Sequence, residues 1–370
     1  MEQENYDSHE VKIIDSSQIF VQETHDKFPT QFIWPKDPSS ENATEVLNEC
    51  VIDLKGFMEH DKEATLHAAN LIKESSVKHG FFQVVNHGVD PALLVLADEH
   101  GRAFFKLPIA EKLKCKKKDG SMVGFVSAHS GRFSEKLPWK ELLSFEYHEN
   151  DDNEVVAEYF NSTLGSEYKE TGLVYQKFCQ SMKNLALNLL ELLEISLGVD
   201  SHNYYKQLYE DSVSLVRCNH YPKCSKPELT YGVGPHCDPI TLTILYQDQI
   251  GGLEVLVDNK WKAVKPHKDA LVINIGDTFQ ALSNGKYKSC LHRVMVNTEK
   301  PRLSVAFFLC PKGDKLLKPH QKLIERDGRQ VYPDFKWEEL RQFTQKYHRA
   351  DENTLEEFKQ WLLSSKNPMH

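Results

Sequence analysis

Gly234-Pro235-His236-Cys237-Asp238-Pro239, followed by His292 and then by Arg302-Leu303-Ser304, decides how the second half of this chain folds. In an extended segment, side chains two apart share a face, so His236 and Asp238 point together while Cys237 points away. That takes the thiol out of the ligand set. Two neutral imidazoles and one carboxylate on one face leave open positions on a non-heme Fe(II), whereas cysteine-rich sets suit zinc or iron-sulfur clusters. His292 has to come from another strand, because one short extended segment cannot supply three facial ligands. The run from Leu291 to Val296 can carry it.

Arg302 opens the run Arg302-Leu303-Ser304-Val305-Ala306-Phe307-Phe308-Leu309, which reads as a strand buried on both faces. An arginine projecting from such a strand needs an anionic partner, since an unpaired buried charge is very costly. The distal carboxylate of 2-oxoglutarate would supply one as a bidentate pair, with Ser304 on the same face as a further donor. Each piece alone has an ordinary reading: His-x-Asp arises often by chance, Arg302 could be a surface residue after Pro301, and the chain has 17 histidines. His67, His129, His267 and His348 read as surface or satisfied core residues. Order and spacing, on apolar strands, make the combination a 2-oxoglutarate-dependent oxygenase.

Working outward, short β-rich runs follow Gly198 at Ser212 to Cys218, Leu242 to Gln247, Leu253 to Val257, Trp261 to Val264 and Leu271 to Ile275, ahead of the two already named. Gly251-Gly252, Asp258-Asn259, Gly276-Asp277 and Asn284-Gly285 punctuate them. Such spacing predicts a double-stranded β-helix, or jelly roll, whose mouth presents several strands to one metal. Upstream, Lys62 to Lys78 favours a helix stopped by His79-Gly80, and Phe81 to Gly88 a buried strand and turn. Phe178, Met182, Leu185, Leu189 and Leu192 make one face of a long helix, a packing spine. Trp337 to Phe343 and Leu355 to Leu363 read as closing helices. The fold class is α+β, divided as an N-terminal arm (1–50, with a loop at 37–42), an N-terminal helical and β region (51–200), the jelly-roll domain (201–315) and a C-terminal helical extension (316–370).

Composition agrees. Lys plus Arg against Asp plus Glu gives a net charge of −9, which does not indicate a nucleic-acid surface. The short basic run Lys114-Cys115-Lys116-Lys117-Lys118 reads as a solvated loop. Eight cysteines form no CxxC pair, and no apolar run approaches membrane-spanning length. Without an apolar signal core at Met1 to Asp7, free thiols in a reducing cytoplasm are the simplest account.

Asn219-His220-Tyr221-Pro222-Lys223-Cys224, the Gly234 to Pro239 segment and Leu137-Pro138-Trp139-Lys140-Glu141 resemble the plant gibberellin 20-oxidases, of the 2-oxoglutarate/Fe(II)-dependent dioxygenase superfamily. So do Phe32-Ile33-Trp34-Pro35 and Phe343-Thr344-Gln345-Lys346-Tyr347-His348-Arg349-Ala350-Asp351, which extends the resemblance from about residue 30 to about residue 363. The metal and Arg-x-Ser pieces belong to the whole superfamily; Leu-Pro-Trp-Lys-Glu points to this branch. The resemblance implies His236, Asp238 and His292 as iron ligands, Arg302 and Ser304 as the clamp on 2-oxoglutarate, and Tyr221 and Asn219 beside that cosubstrate. Read without it, Tyr221 is a core tyrosine ahead of the Pro222 turn. It also implies Trp139, Lys140 and Glu141 in recognition of a small diterpenoid, the gibberellin, although such a segment can equally be a packed turn.

Dioxygen as the oxidant, ascorbate as reductant, and successive oxidation of carbon-20 with its final loss complete what the resemblance implies. The oligomeric state is left open. Tyr231-Gly232-Val233-Gly234 stands where the family usually has Leu-Gly-Thr-Gly, Tyr246 where histidine is frequent, and Leu142 where threonine is usual. Other readings are a gibberellin 3- or 7-oxidase or a flavonoid oxidase, a jelly-roll binding module without turnover, and a zinc hydrolase, which would have no use for Arg302 and Ser304.

Overall fold

The computed structural model describes residues 28–35, 43–48, 50–128, 136–149, 154–199, 203–347 and 354–366. Two facing sheets are built from β1 (Glu45–Val46), β2 (Val51–Asp53), β3 (Phe81–Val85), β4 (Gly124–Ser127), β5 (Glu141–Tyr147), β6 (Ser214–Tyr221), β7 (Val233–His236), β8 (Leu242–Gln247), β9 (Leu253–Val257), β10 (Lys260–Ala263), β11 (Leu271–Ile275), β12 (His292–Val294) and β13 (Arg302–Leu309). The larger sheet runs β2-β3-β11-β8-β13-β6-β5-β4 and the smaller β1-β10-β9-β12-β7. Together they make the jelly-roll-like core. The larger sheet takes strands from both sides of residue 200, so the N-terminal region completes the barrel wall.

Strand alternation sorts the side chains. On β13, Leu303, Val305, Phe307 and Leu309 face the helices and join their core. Leu245 and Val272 turn the other way and meet Val255 and Val294 of the smaller sheet in an apolar cluster between the sheets. Arg302 and Ser304 are also on that inner side, which is why two polar groups can be fully buried there.

Helices α1 (Lys62–Lys78), α2 (Pro91–Phe105), α3 (Val155–Leu164) and α4 (Lys169–Ser196) cover the outer face of the larger sheet, while α5 (Asp277–Leu282) lies between β11 and β12 in the chain. Asp61 caps α1 by accepting from the N–H groups of Glu63 and Ala64, and Asp90 with Pro91 starts α2 in the same way. The expected stripe on α4 is buried throughout, and α1, α2 and α3 pack around it. Each large apolar side chain buried there contributes about 2 kcal/mol. The closing helices are α6 (Trp337–Lys346) and α7 (Thr354–Lys366).

Among the elements that go beyond the sequence reading are β1, β2, α2, α3, the β4–β5 hairpin and α5. β6 runs on to Tyr221 because Tyr221 pairs with Arg302, which places it two residues past the expected start and three past the expected end. The run at 291–296 forms a strand only over His292–Val294, where its register against β7 shifts. Within the described part of the amino-terminal arm, Phe28 and Phe32 pack against Trp139, and Phe32 is fully buried. The loop expected at 37–42, together with His129 and residues 348–351, lies outside the described residues.

Candidate active site

β7 and β12 are antiparallel neighbours whose register sets His236 directly opposite His292. Their rings lie 4.1 Å apart between centroids. Asp238, just past the end of β7, brings its Oδ1 to 3.6 Å from His236 Nε2 and its Oδ2 to 3.7 Å from His292 Nε2. One donor atom from each of the three lies within 4.8 Å of the others, and all three residues are buried. Cys237 points away into a small apolar group with Trp261 and Leu291.

The surrounding backbone fixes which nitrogen faces the cluster. His236 Nδ1 is 2.9 Å from the Gly234 carbonyl and His292 Nδ1 is 3.1 Å from the Cys290 carbonyl. A carbonyl only accepts, so both Nδ1 atoms carry the proton and both Nε2 lone pairs point inward, the form that binds a metal. Asp238 Oδ2 accepts from Thr243 Oγ1 at 2.6 Å and Asn274 Nδ2 at 2.9 Å, which orients the carboxylate. Behind it Gly276 must be glycine, since a Cβ there would sit 1.9 Å from the Ile240 carbonyl oxygen. Gly234 is equally constrained: a Cβ would meet the Trp34 ring at 2.4 Å.

Arg302 is only 1% exposed. It donates through Nη2 to Gln247 Oε1 at 2.9 Å and through Nη1 to Ser304 Oγ at 3.3 Å, and its guanidinium lies 5.0 Å from the Tyr221 ring centre. These partners are all neutral. Arg302 Nε and Gln247 Nε2 are buried with no hydrogen-bond partner. A buried cation with an unused donor calls for an anion. Burial raises the Tyr221 phenol above its ordinary range, against the opposing pull of Arg302, so its hydroxyl stays protonated as a donor.

Thr243, which holds Asp238, and Gln247, which holds Arg302, are four residues apart on one face of β8, roughly 13 Å. An extended arginine side chain and a five-carbon diacid fill that span, so the donor set and the buried cation fit Fe(II) with 2-oxoglutarate.

The Trp139-Lys140-Glu141 segment divides. Lys140 reaches inward and donates to Asn219 Oδ1 at 3.2 Å. Trp139 is fully buried beneath Phe28 and Phe32, with its indole N–H on the Lys223 carbonyl. Glu141 faces the opposite side of the sheet, 2.7 Å from Lys112 Nζ and 3.2 Å from His220 Nδ1. Burial opposes its ionisation, but hydrogen bonds from His220 and Lys112 outweigh it and hold the carboxyl below its usual range. Lys140 immediately precedes β5 and Glu141 opens it, so alternation sets those two side chains on opposite faces.

Residues 212–311 match the 2OG-Fe(II) oxygenase superfamily, and residues 51–164 match the N-terminal region described as non-haem dioxygenase in morphine synthesis. Gibberellin 20 oxidase 2 of Arabidopsis thaliana is 47% identical over 344 residues, 93% of this chain and 89% of that protein. The chain belongs to the gibberellin 20-oxidase family. Gibberellin 20 oxidase 2 of Oryza sativa subsp. japonica is 49% identical over 91% of this chain and 85% of its own length. Among solved structures, that of JOX2 in complex with 2OG, Fe and JA is 30% identical with a TM-score of 0.76, covering 92% of this chain and 96% of that one.

For a gibberellin 20-oxidase family member, the departures noted above have distinct places. Tyr231 stacks edge-on with Trp34 and lies under Arg293, and Tyr246 is on the helix-facing side of β8 among the groups around Asp248. Leu142 alone of the three lines a cavity of about 320 Å³ that Asp238 also borders. Gln247, Thr243 and Asn274 escaped the sequence reading.

Proposed function

We infer that this protein is a gibberellin 20-oxidase, an Fe(II)- and 2-oxoglutarate-dependent dioxygenase that oxidises carbon-20 of a C20 gibberellin in successive steps until that carbon is lost. The observation that carries the reading is the buried Arg302 with only neutral partners, across one sheet face from the His236, Asp238 and His292 cluster. In this reading, His236, Asp238 and His292 hold the metal. Arg302, with Ser304 and Tyr221, takes the distal carboxylate of 2-oxoglutarate, and Asn219 lies beside it through Lys140. With dioxygen, Fe(II) and 2-oxoglutarate supply the oxidant.

The chain's own residues position and shield. The two carbonyl-anchored imidazoles and the doubly hydrogen-bonded Asp238 hold the donor set without rearrangement, while the apolar cluster between the sheets keeps bulk water from the clamp. Asp238 borders the 320 Å³ cavity, so a substrate seated there meets the metal side directly. Residues 201–315 act as the metal- and 2-oxoglutarate-binding domain, 51–200 as the region completing its wall, and 316–370 as a covering extension. Among the described residues no helix is long and apolar enough to cross a membrane. All eight cysteines are free, which supports a cytoplasmic enzyme.

The test is anaerobic reconstitution with Fe(II) and 2-oxoglutarate, then admission of air with a C20 gibberellin and mass analysis. Stepwise gain of oxygen followed by loss of one carbon is expected. A single hydroxylation elsewhere would move the protein to a sister activity, and absence of any turnover would favour a binding module. His236→Ala is expected to abolish both iron binding and turnover; normal activity in that variant would sink the metal assignment.

A further inference from the structure

Beside the clamp, β8 parts from β13. Ser304 pairs with Gln247, the last residue of β8. At the next position a hydrogen-bonded pair would exchange two backbone bonds, and here only one is made: the Asp248 N–H donates to the Leu303 carbonyl at 3.2 Å. The Leu303 N–H donates instead to the Asp248 side chain, at 2.7 Å from Oδ2. A carboxylate has taken the place of a backbone carbonyl. Its other oxygen, Oδ1, accepts from the Ile250 N–H at 3.1 Å and so turns the chain toward Gly251-Gly252.

Asp248 and Leu303 face the helices, whereas Gln247, Arg302 and Ser304 face the inner side, so the carboxylate holds the two strands from behind the clamp. Helix α2 braces it there. Arg102 donates through Nη2 to Asp248 Oδ2 at 2.8 Å, and Asp98, four residues earlier, accepts from Arg102 Nε at 2.7 Å and from Nη2 at 3.1 Å. Glycine at the preceding position lets the helix come this close: a Cβ on Gly101 would lie 2.9 Å from Tyr175 Oη and 3.5 Å from Leu303 Cδ1. Past the turn, a Cβ on Gly252 would lie 3.9 Å from Arg302 Cδ, so the same carboxylate shapes the loop that flanks the arginine's stem. Three donors on one carboxylate, all with charge assistance, make a stiff joint.

We propose that Asp248, braced by Arg102, is a positioning residue for the cosubstrate. It acts through the backbone. By holding the peptide N–H between Arg302 and Ser304, it sets how far both side chains stand from the His236, Asp238 and His292 cluster, and so the length of diacid that bridges the two. This rests on the reading of Arg302 and Ser304 as the 2-oxoglutarate clamp and adds to it what keeps the clamp at its distance. A diacid one methylene longer is then refused for its length and not for its charge.

The test compares anaerobic binding of 2-oxoglutarate and of the longer 2-oxoadipate to protein loaded with Fe(II), by calorimetry, for wild type, Asp248→Asn, Arg102→Gln and the double variant. Wild type is expected to prefer the shorter acid. Asp248→Asn should lose about tenfold in affinity for 2-oxoglutarate and much less for 2-oxoadipate, so that the preference narrows. Arg102→Gln, at a partly exposed position on α2, should narrow it by a smaller factor, and the double variant should match Asp248→Asn because the arginine acts through the carboxylate. Fe(II) affinity should stay at the wild-type value in all three, which separates loss of positioning from loss of fold. Wild type that binds both acids alike, a preference that survives intact in both single variants, or a double variant that loses the sum of the two, overturns the proposal. If Asp248→Asn does not fold, Arg102→Gln decides it: a narrowed preference supports the proposal and an unchanged one overturns it. Arg302→Met tells the two readings apart. If it binds 2-oxoglutarate as wild type does, the clamp falls and the positioning role with it; if it fails to bind while the Asp248 and Arg102 variants keep the full preference, only the positioning role falls.

Discussion

Arg293 and Arg302 are both only 1% exposed and both lie against an aromatic ring, Trp261 at 4.1 Å and Tyr221 at 5.0 Å. They differ in what faces the charge. Arg293 Nε is 2.8 Å from Glu254 Oε2, and the other oxygen of Glu254 accepts from the Ala43 N–H, so that pair binds β9 and β12 to the amino-terminal segment. Arg302 meets an amide oxygen and a hydroxyl. A buried ion that is complete within the chain belongs to the scaffold. A buried ion left without a carboxylate belongs to a ligand, and the fold bears its cost until that ligand arrives.

The hardest blow to this contrast comes from Glu254→Ala. It strands the Arg293 charge and is expected to destabilise the fold by about 3–5 kcal/mol in chemical denaturation, with or without 2-oxoglutarate. A loss under about 1 kcal/mol would show that Arg293 does not depend on its carboxylate, and the contrast would fail.

Arg302→Met should behave in the opposite manner. Stability without cosubstrate is expected to hold or rise, while affinity for 2-oxoglutarate falls about 100-fold, near 2.7 kcal/mol. Wild type in 2-oxoglutarate at about 100 times its Kd should gain about 2.7 kcal/mol of stability, and the variant at the same concentration should gain well under 1 kcal/mol. Unchanged 2-oxoglutarate affinity would remove Arg302 from the clamp.

A buried base that can lose its proton sharpens the comparison with the least effect. Burial, aided by Lys78 and Lys288, pushes His79 down to about 4 from its ordinary 6.5. The unfolded chain therefore takes up a proton that the folded chain refuses. The associated stability is whole above about pH 6.5 and drains away as pH falls toward 4. Between pH 7 and 5 it amounts to at most about 2 kcal/mol. His79→Gln should flatten that part of the stability profile; an unaltered acid slope would mean that His79 takes up its proton in the folded state as readily as in the unfolded one.

The sequence made much of this legible because metal chemistry restricts residue type and strands restrict direction. His236 and Asp238 share a side and Cys237 does not, which alternation alone foretold. The spacing of the α4 stripe is likewise local information. What stayed hidden was register. Whether Gln247 or another residue would face Arg302 depends on how β8 aligns with β13, and which of Trp139, Lys140 and Glu141 turns inward depends on how β5 aligns with β6. Neither alignment is written in a single segment.

The Trp34 ring that occupies the space over Gly234 gives the amino-terminal segment a place in the wall of the metal centre, since Gly234 offers the carbonyl that His236 holds. Trimming the chain to a tidy start after Pro35, as one might to ease crystallisation, would pull a wedge from behind a proposed metal ligand. The shortened protein would be a different catalyst and not merely a smaller one.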